Sequence, residues 1–154
     1  MDYERIVTEN IDIVYRTTLC YCKNQRDAED VVQNTFLKLI QSEQEFADEE
    51  HVRKWLIRVA VNECKNIWKS YWNRNVISLD TLEYEQGTTR TEEERDLLQA
   101  VMALPPKYRI VVHLYYYEGY HVKEIADILH LSESNVQIRL MRARKKLKEL
   151  LKGE

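Results

Sequence analysis

The fold of this chain is decided by residues 119–147, GYHVKEIADILHLSESNVQIRLMRARKKL. Apolar residues in the first part recur at the spacing of one helical face, which predicts a short amphipathic helix: Val122, Ile125, Ala126 and Leu129. The pattern breaks at His130 and Leu131. Ser132 follows as a candidate N-cap, because its hydroxyl can accept a hydrogen bond from a backbone N–H of the next helix. The stretch therefore predicts two helices joined by a tight turn.

The second of these helices has one apolar and one polar face. Its apolar residues can pack on the first helix: Val136, Leu140, Ala143 and Leu147. The opposite face and its flanks carry Ser134, Asn135, Gln137, Ile138, Arg139, Met141, Arg142 and Lys145. A helix-turn-helix places its second helix in the major groove, where Asn, Gln and Arg match base edges. The pattern predicts binding to duplex DNA, and a plain helical hairpin with a solvated basic end is the alternative.

The composition indicates an all-α fold in either one bundle or two small domains. The chain has 154 residues, three glycines and two prolines, which are adjacent, and long segments have helical periodicity. No apolar run approaches the roughly 20 residues that a membrane span needs, and the N-terminus lacks the features of a signal peptide. We therefore expect a soluble cytoplasmic protein that does not insert into the membrane.

The sequence offers no pattern typical of a metal site, a cofactor or an enzyme. Cys20, Cys22 and Cys64 lack zinc-finger spacing and fall inside helical patterns, so reduced core thiols are expected. The four histidines are scattered, and there is no glycine-rich phosphate loop. The acids at 27–30 are better explained as helix capping than as a catalytic cluster. We expect no cofactor and no catalysis.

Charge is distributed unevenly, although the net charge is only −3. Basic residues gather in 53–74 and 139–152, whereas acids gather in 43–50 and 80–96. Two basic stretches separated by an acidic one suggest two surfaces that face nucleic acid. Solvated helix faces are the alternative.

Three helices are predicted before residue 74. The first lies near residues 11–22. The second begins with Asp27 as N-cap. Its core face is predicted from residues at helical spacing: Ala28, Val31, Val32, Thr35, Phe36, Leu39 and Ile40. Residues 42–50 have no apolar period and are predicted to be a loop. A third helix is expected over about 51–72, with an inward stripe of Val52, Trp55, Leu56, Val59, Ala60 and Ile67.

The third helix also combines basic groups with aromatic side chains. Trp68, Tyr71 and Trp72 lie close to lysines and arginines in the sequence. This combination suits single-stranded nucleic acid, because bases stack on aromatic rings and the backbone needs cations. Closure of the hydrophobic core by the same aromatic residues is the alternative.

Residues 73–94 lose helical periodicity and contain Gly87 and a run of glutamates, which is typical of a flexible acidic linker. We therefore predict two small helical domains, 1–74 and 95–154, joined by a linker over 75–94. The second domain is interrupted at Pro105 and Pro106 before the helix-turn-helix completes its core.

Three segments, taken in order, resemble bacterial RNA polymerase sigma factors of the sigma-70 family, extracytoplasmic-function (ECF) type. DAEDVVQNTFLKLI, from Asp27, is similar to the family's region 2.2 helix, and RKWLIRVAVNECKNIWK, from Arg53, resembles its promoter-melting region. The segment from Leu104 to Leu147 is similar to region 4. It includes an LPxxxR motif, the EIA triplet at Glu124 and the RAR at Arg142.

The resemblance implies specific partners and site residues. In similar proteins the region 2.2 face binds a coiled coil of the polymerase β′ subunit, which points to Asp30, Gln33, Asn34 and Leu37. The separated minus-10 strand would contact the acidic loop and Asn62, Lys65 and Lys69. The minus-35 element, as duplex, would contact Ser132, Ser134, Asn135, Gln137, Ile138, Arg139, Met141 and Arg142.

The implied function is transcription initiation without catalysis. The expected partners are core RNA polymerase through its β′ and β subunits, promoter DNA in duplex and single-stranded form, and an anti-sigma factor. The main alternative is a helix-turn-helix regulator that binds operator DNA without polymerase, and a helical adaptor that binds only proteins is a further one. Both leave the basic, tryptophan-rich third helix without a role.

Overall fold

The computed structural model describes residues 1–71 and 91–152, with the side chains of 68–71 excluded. Within these ranges the chain has seven α-helices, one π-helical turn and no strand, in two compact units. The predicted all-α class with two small helical domains is confirmed. Most of the predicted linker lies outside the described residues.

The first unit consists of three helices that pack on one another. They are α1 (Tyr3–Cys22), α2 (Gln25–Gln41) and α3 (Glu49–Tyr71). Helix α1 begins earlier than predicted because Asp2 caps it, accepting a hydrogen bond from the N–H of Arg5 at 3.1 Å. Residues 42–48 form the predicted loop before α3.

The start of α2 differs from the prediction. Asn24, not Asp27, is the N-cap: its backbone is extended, and its side chain accepts a hydrogen bond from the Asp27 N–H at 3.1 Å. Asp27 instead lies buried in the first turn. At the other end of α2, Ile40 was predicted to be buried but is 52% exposed, because Leu39 takes the inward position.

Helix α3 buries a wide face, because it packs against both α1 and α2. Trp55, Val59 and Ile67, which the inward stripe included, are only partly buried. The buried face is rotated toward residues that the stripe omitted. The buried face consists of Val52, Leu56, Ile57, Ala60, Val61 and Cys64, of which the predicted stripe omitted Ile57, Val61 and Cys64.

A buried polar pair joins α1 to α3. The Oδ1 atom of Asn10 accepts a hydrogen bond from Nε of Arg53 at 2.8 Å, and Asn10 Nδ2 donates to the Ile6 carbonyl at 2.8 Å. Asn10 is buried, so its amide needs both partners. Arg53 therefore links α3 to α1 through a hydrogen bond and also supplies a positive charge near the start of α3.

The second unit contains four helices and a π-helical turn. In chain order they are α4 (Glu92–Ala103), α5 (Pro106–Val112), the π-helical turn (His113–Tyr117), α6 (Val122–Leu129) and α7 (Glu133–Leu151). Helix α4 begins inside the predicted linker. The side chain of Thr91 caps the Glu94 N–H at 3.1 Å, and Glu92, Glu93 and Glu94 favour the positive end of the helix dipole.

The break between α4 and α5 is stabilised by a buried arginine. Pro105 and Pro106 have no N–H and cannot extend α4. The Arg109 guanidinium, only 1% exposed, donates to the Leu104 carbonyl that this break leaves inside the unit. The core that surrounds the break consists of Val101, Leu104, Tyr108, Val112 and Ala143, with Leu147 partly buried against it.

We predict that Arg109→Ala destabilises the second unit by about 2–4 kcal/mol, because it leaves a cavity and removes the donor from a buried carbonyl. Urea unfolding followed by helical circular dichroism measures the change. Arg142→Ala, which removes an exposed arginine from the same unit, should shift the unfolding free energy by no more than about 0.5 kcal/mol. Equal effects of the two substitutions would contradict the role given to Arg109.

Candidate nucleic-acid interface

The turn between α6 and α7 is fixed by hydrogen bonds at both helix ends. Helix α6 begins where the Glu124 carboxylate accepts from the His121 N–H at 3.1 Å, one half of a capping box. It ends at His130, whose φ of 55° is left-handed, and the Leu131 N–H donates back to the Ala126 carbonyl at 2.9 Å. This is the Schellman pattern, here with a histidine in place of the usual glycine.

Helix α7 starts at the cap predicted from the sequence. The Ser132 hydroxyl accepts from the Asn135 N–H at 3.0 Å and lies 3.3 Å from the Ser134 hydroxyl. Ser132 therefore has a structural role in addition to the DNA contact expected of it.

The two faces of α7 differ as the periodicity predicts. Val136, Leu140 and Ala143 are buried. The eight residues expected at the minus-35 element all reach the surface. Ser132, Ser134, Gln137, Ile138, Met141 and Arg142 are exposed, and Asn135 and Arg139 are partly buried.

Arg139 and Asn135 are paired on this surface. Nε of Arg139 donates to Oδ1 of Asn135 at 3.0 Å, one helical turn away. The bond holds the long arginine side chain along the helix, which lowers the entropy that it would lose on binding. Ile138 and Met141, 42% and 59% exposed, add apolar groups beside the pair.

The basic end of α7 is divided between two environments. Arg142, Lys145, Lys146 and Lys148 are exposed. Arg144, which the sequence placed in the same basic run, lies against aromatic rings. Its Nε donates to the Tyr116 hydroxyl at 2.6 Å, and its guanidinium carbon lies 5.8 Å from the centroid of the Tyr115 ring.

Helix α2 of the first unit presents a second candidate interface. Asp30, Gln33, Asn34 and Leu37 are all exposed, and their spacing places them on one helical face. Leu37 is 52% exposed, and the unexpectedly exposed Ile40 follows it on the same side. Beside this face, Lys38 forms an ion pair with Glu63 of α3.

The basic surface of α3 is partly described. Asn62 and Lys65 are exposed, and their spacing places them on one face. The side chain of Lys69 lies outside the described residues. Helical spacing would continue the same face to it.

The acidic loop before α3 is anchored to that helix, which the sequence analysis did not foresee. The Ala47 N–H donates to Nδ1 of His51 at 2.9 Å. The Phe46 ring packs edge-on against His51 and Trp55, with centroid distances of 5.2 and 5.5 Å. The anchor keeps the loop beside the N-terminal end of α3. The spacing of these aromatic residues was the available signal.

An apolar groove of about 720 Å³ opens on the second unit and was also missed by the sequence analysis. The groove draws on α4, the π-helical turn and the last turns of α7, so no single helix contains its pattern. Basic residues lie at its edge. Its lining is Leu97, Val101, Val112, Tyr116, Tyr117, Arg144, Leu147, Lys148, Leu151 and Lys152.

The described ranges contain neither a metal site nor a membrane-spanning helix. No group of histidine, cysteine and carboxylate side chains within 1–71 and 91–152 is placed to hold a metal ion. Within the same residues, no helix has the length and apolarity needed to cross a bilayer.

Comparison with known proteins places both units in one family. The sigma-70 region 2 family matches residues 6–74, and the sigma-70 region 4 family matches residues 94–147. The ECF RNA polymerase sigma factor SigM of Bacillus subtilis is 30% identical over 156 residues, covering 97% of this chain and 95% of its own. RNA polymerase sigma factor SigV of the same organism is 28% identical over 149 residues, covering 96% and 90%.

Solved structures share the fold at lower sequence identity. The sigma factor RpoE from Bartonella quintana, in complex with the anti-sigma factor NepR, has a TM-score of 0.75 and 20% identity, with 98% of this chain and 97% of that chain covered. CnrH, in complex with the cytosolic domain of CnrY, has a TM-score of 0.72 and 24% identity, with 99% and 88% covered.

We predict that Ser132→Ala lowers the stability of the second unit by about 1 kcal/mol, because the Asn135 N–H loses its cap. Ser134→Ala is the matched control: it removes the contact between the two serine hydroxyls but keeps the cap on the Asn135 N–H, and it should cost no more than about 0.5 kcal/mol. Urea unfolding of both variants measures the difference. Equal losses would show that the cap contributes nothing.

Proposed function

The chain belongs to the ECF type of the sigma-70 family of RNA polymerase sigma factors, and from this premise we propose how its surfaces divide the work of promoter-directed initiation. Helix α2 binds core polymerase. Helix α7 reads the minus-35 element as duplex DNA, and α3 with the loop 42–48 holds the separated minus-10 strand. The observation that carries the proposal is that the described residues of each candidate surface are exposed or only partly buried, on a helix whose other face forms the core.

Polymerase binding is assigned to the face of α2 around Leu37. Leu37 is 52% exposed, so about half of its apolar surface is left in water in the first unit. A leucine in that position gains free energy when a partner covers it. The neighbouring Asp30, Gln33 and Asn34 can supply the polar rim that protein interfaces carry.

Reading of the minus-35 element is assigned to the exposed face of α7. Arginine can form two hydrogen bonds with guanine, asparagine and glutamine can do so with adenine, and apolar groups contact the thymine methyl. Arg139, Gln137 and Ile138 offer one group of each kind. Arg142 and the lysines beyond it contribute affinity through phosphates.

Melting of the minus-10 region needs no catalytic group. Unstacking a base costs a few kcal/mol, and its capture on a protein surface shifts the equilibrium toward the open strand. Asn62, Lys65 and Lys69 supply polar and basic groups for that strand. The anchored loop 42–48 lies next to the start of the same helix and gives the strand a fixed boundary.

The apolar groove on the second unit suits a protein partner. A large apolar surface with basic residues at its edge is typical of protein-binding sites. The proposed function supplies two proteins that could bind in this groove, the β subunit of polymerase and an anti-sigma factor. The solved relatives are complexes with such inhibitors or partner domains. We propose that this chain, acting in the cytoplasm with polymerase, is regulated in the same way.

The direct test is to add the purified chain to bacterial core polymerase that lacks sigma. A one-to-one complex that starts transcripts at defined promoters is expected. Leu37→Asp should weaken that complex by about 2 kcal/mol or more, roughly thirtyfold, because it places a charge in the interface. Ile11→Asp, an equivalent change at an exposed isoleucine of α1, is the control and should leave binding intact.

The outcome against the proposal is also defined. A chain that ignores polymerase yet binds duplex DNA tightly by itself would be an operator-binding regulator. If Leu37→Asp and Ile11→Asp weaken the complex equally, the α2 face is not the specific docking surface. Circular dichroism of both variants should match that of the parent chain, which separates lost binding from lost folding.

For α7, we predict that replacing Arg139 and Arg142 with alanine weakens promoter binding and lowers the slope of log affinity against log salt by about one, because only Arg142 is assigned to a phosphate. Lys107→Ala, which removes an exposed cation outside α7, should change neither quantity. Filter binding of the holoenzyme over a salt series measures the slope, and pull-down confirms that polymerase binding is retained. Loss of polymerase binding would refute this division of labour.

A further inference from the structure

Two of the buried cysteines in the first unit are in direct contact. Sγ of Cys22, the last residue of α1, donates to Sγ of Cys64 in the middle of α3 at 3.1 Å. Both are free thiols, as is Cys20 on α1. Residues 42 positions apart in sequence are thus brought together by the fold alone.

The distance is close to that of a covalent bond between the sulfurs. A disulfide has a sulfur–sulfur length of about 2 Å, so the two atoms need to approach by only about 1 Å. Cys22 lies at the end of α1, next to Lys23 in a left-handed conformation, where the helix already ends. A helix end accommodates a small shift more readily than the interior does.

We propose that Cys22 and Cys64 are a redox modification site, at which a peroxide converts the two thiols into a reversible disulfide between α1 and α3. Neither the sigma-factor family assignment nor the proposed DNA and polymerase contacts requires this bond. The proposal is therefore independent of the proposed function.

The reaction balances in two steps. The Cys22 sulfur attacks one oxygen of hydrogen peroxide, the O–O bond breaks, and Cys22 becomes a sulfenic acid while one water leaves. The Cys64 sulfur then displaces the hydroxyl from that sulfenic acid, forming the S–S bond, and the displaced hydroxide leaves as a second water with the Cys64 proton. Two thiols are oxidised by two electrons, and one peroxide is reduced.

The surroundings assign the order of these steps. Cys64 is fully buried, and burial, followed by its contact with Cys22, raises the pKa of the Cys64 thiol well above its usual value. Cys64 therefore stays protonated and is the slower nucleophile. Cys22 retains some exposure and meets the oxidant first. We expect oxidation to be slow compared with that of a low-pKa sensor thiol.

The bond would lie between two functional regions. Cys22 precedes by two residues Asn24, the N-cap of the helix proposed to bind polymerase. Cys64 adjoins Lys65, on the surface proposed for the minus-10 strand. Oxidation would thus link the end of α1, just before α2, to the helix that carries the surface proposed for the minus-10 strand.

The test treats the folded, full-length protein with hydrogen peroxide, blocks remaining thiols, and analyses intact mass and non-reduced peptides. We expect a monomer lighter by two hydrogen atoms, one blocked thiol at Cys20, and a linked peptide pair containing Cys22 and Cys64. Dithiothreitol should restore all three thiols. Cys20→Ser should still form the bond, whereas Cys22→Ser and Cys64→Ser should not.

A stability measurement accompanies the mapping. The oxidised parent and oxidised Cys20→Ser should unfold at higher urea concentration than their reduced forms, because the cross-link constrains the unfolded chain. Peroxide should give Cys64→Ser no such increase. A disulfide that involves Cys20, linkage only between chains, or no loss of thiols under conditions that oxidise the urea-unfolded protein would overturn the proposal.

Discussion

The second unit depends on one buried contact, between the Arg109 guanidinium and the Leu104 carbonyl. Two prolines end α4 inside the protein, where an unpaired carbonyl is costly. Arg109 supplies a donor to this carbonyl, and its guanidinium therefore stabilises the break between α4 and α5. Helices α4 and α5 are held at this corner, and Ala143 of α7 packs in the core that surrounds it. The helix proposed to face DNA is therefore supported by a residue that is buried away from that surface.

Side chains also satisfy backbone groups at the starts of other helices in the protein. Asp2, Asn24, Thr91 and Ser132 each accept a hydrogen bond from a backbone N–H of the first helical turn. Such caps satisfy N–H groups of the first turn and help to decide where a helix begins. Which residues turn outward is set by the apolar spacing, and on α2 and α7 the outward residues are those assigned to polymerase and DNA.

Periodicity predicted the helix-turn-helix and the buried sides of α2 and α7, because burial repeats with the helical turn. It did not distinguish Asn24 from Asp27 as a cap, since both residue types cap well and only the backbone conformation decides. Positive charge was equally ambiguous. Arg53 and Arg144 belong to the two basic stretches predicted to face nucleic acid, yet each also donates a hydrogen bond, to Asn10 and Tyr116, on an element far away in the sequence. The apolar groove was missed for the same reason, because several helices build it.

The turn at His130 has an evolutionary consequence. The left-handed backbone of His130 and the hydrogen bond from the Leu131 N–H to the Ala126 carbonyl constrain the path of the chain between α6 and α7. An inserted or deleted residue in this turn would break the bond from Leu131 to Ala126 or the Ser132 cap, because both depend on the present spacing. The angle at which α7 leaves α6 would then change. Under the proposed function, promoter preference in descendants of this chain would diverge through substitutions on the surface of α7, while the length of the turn is held constant.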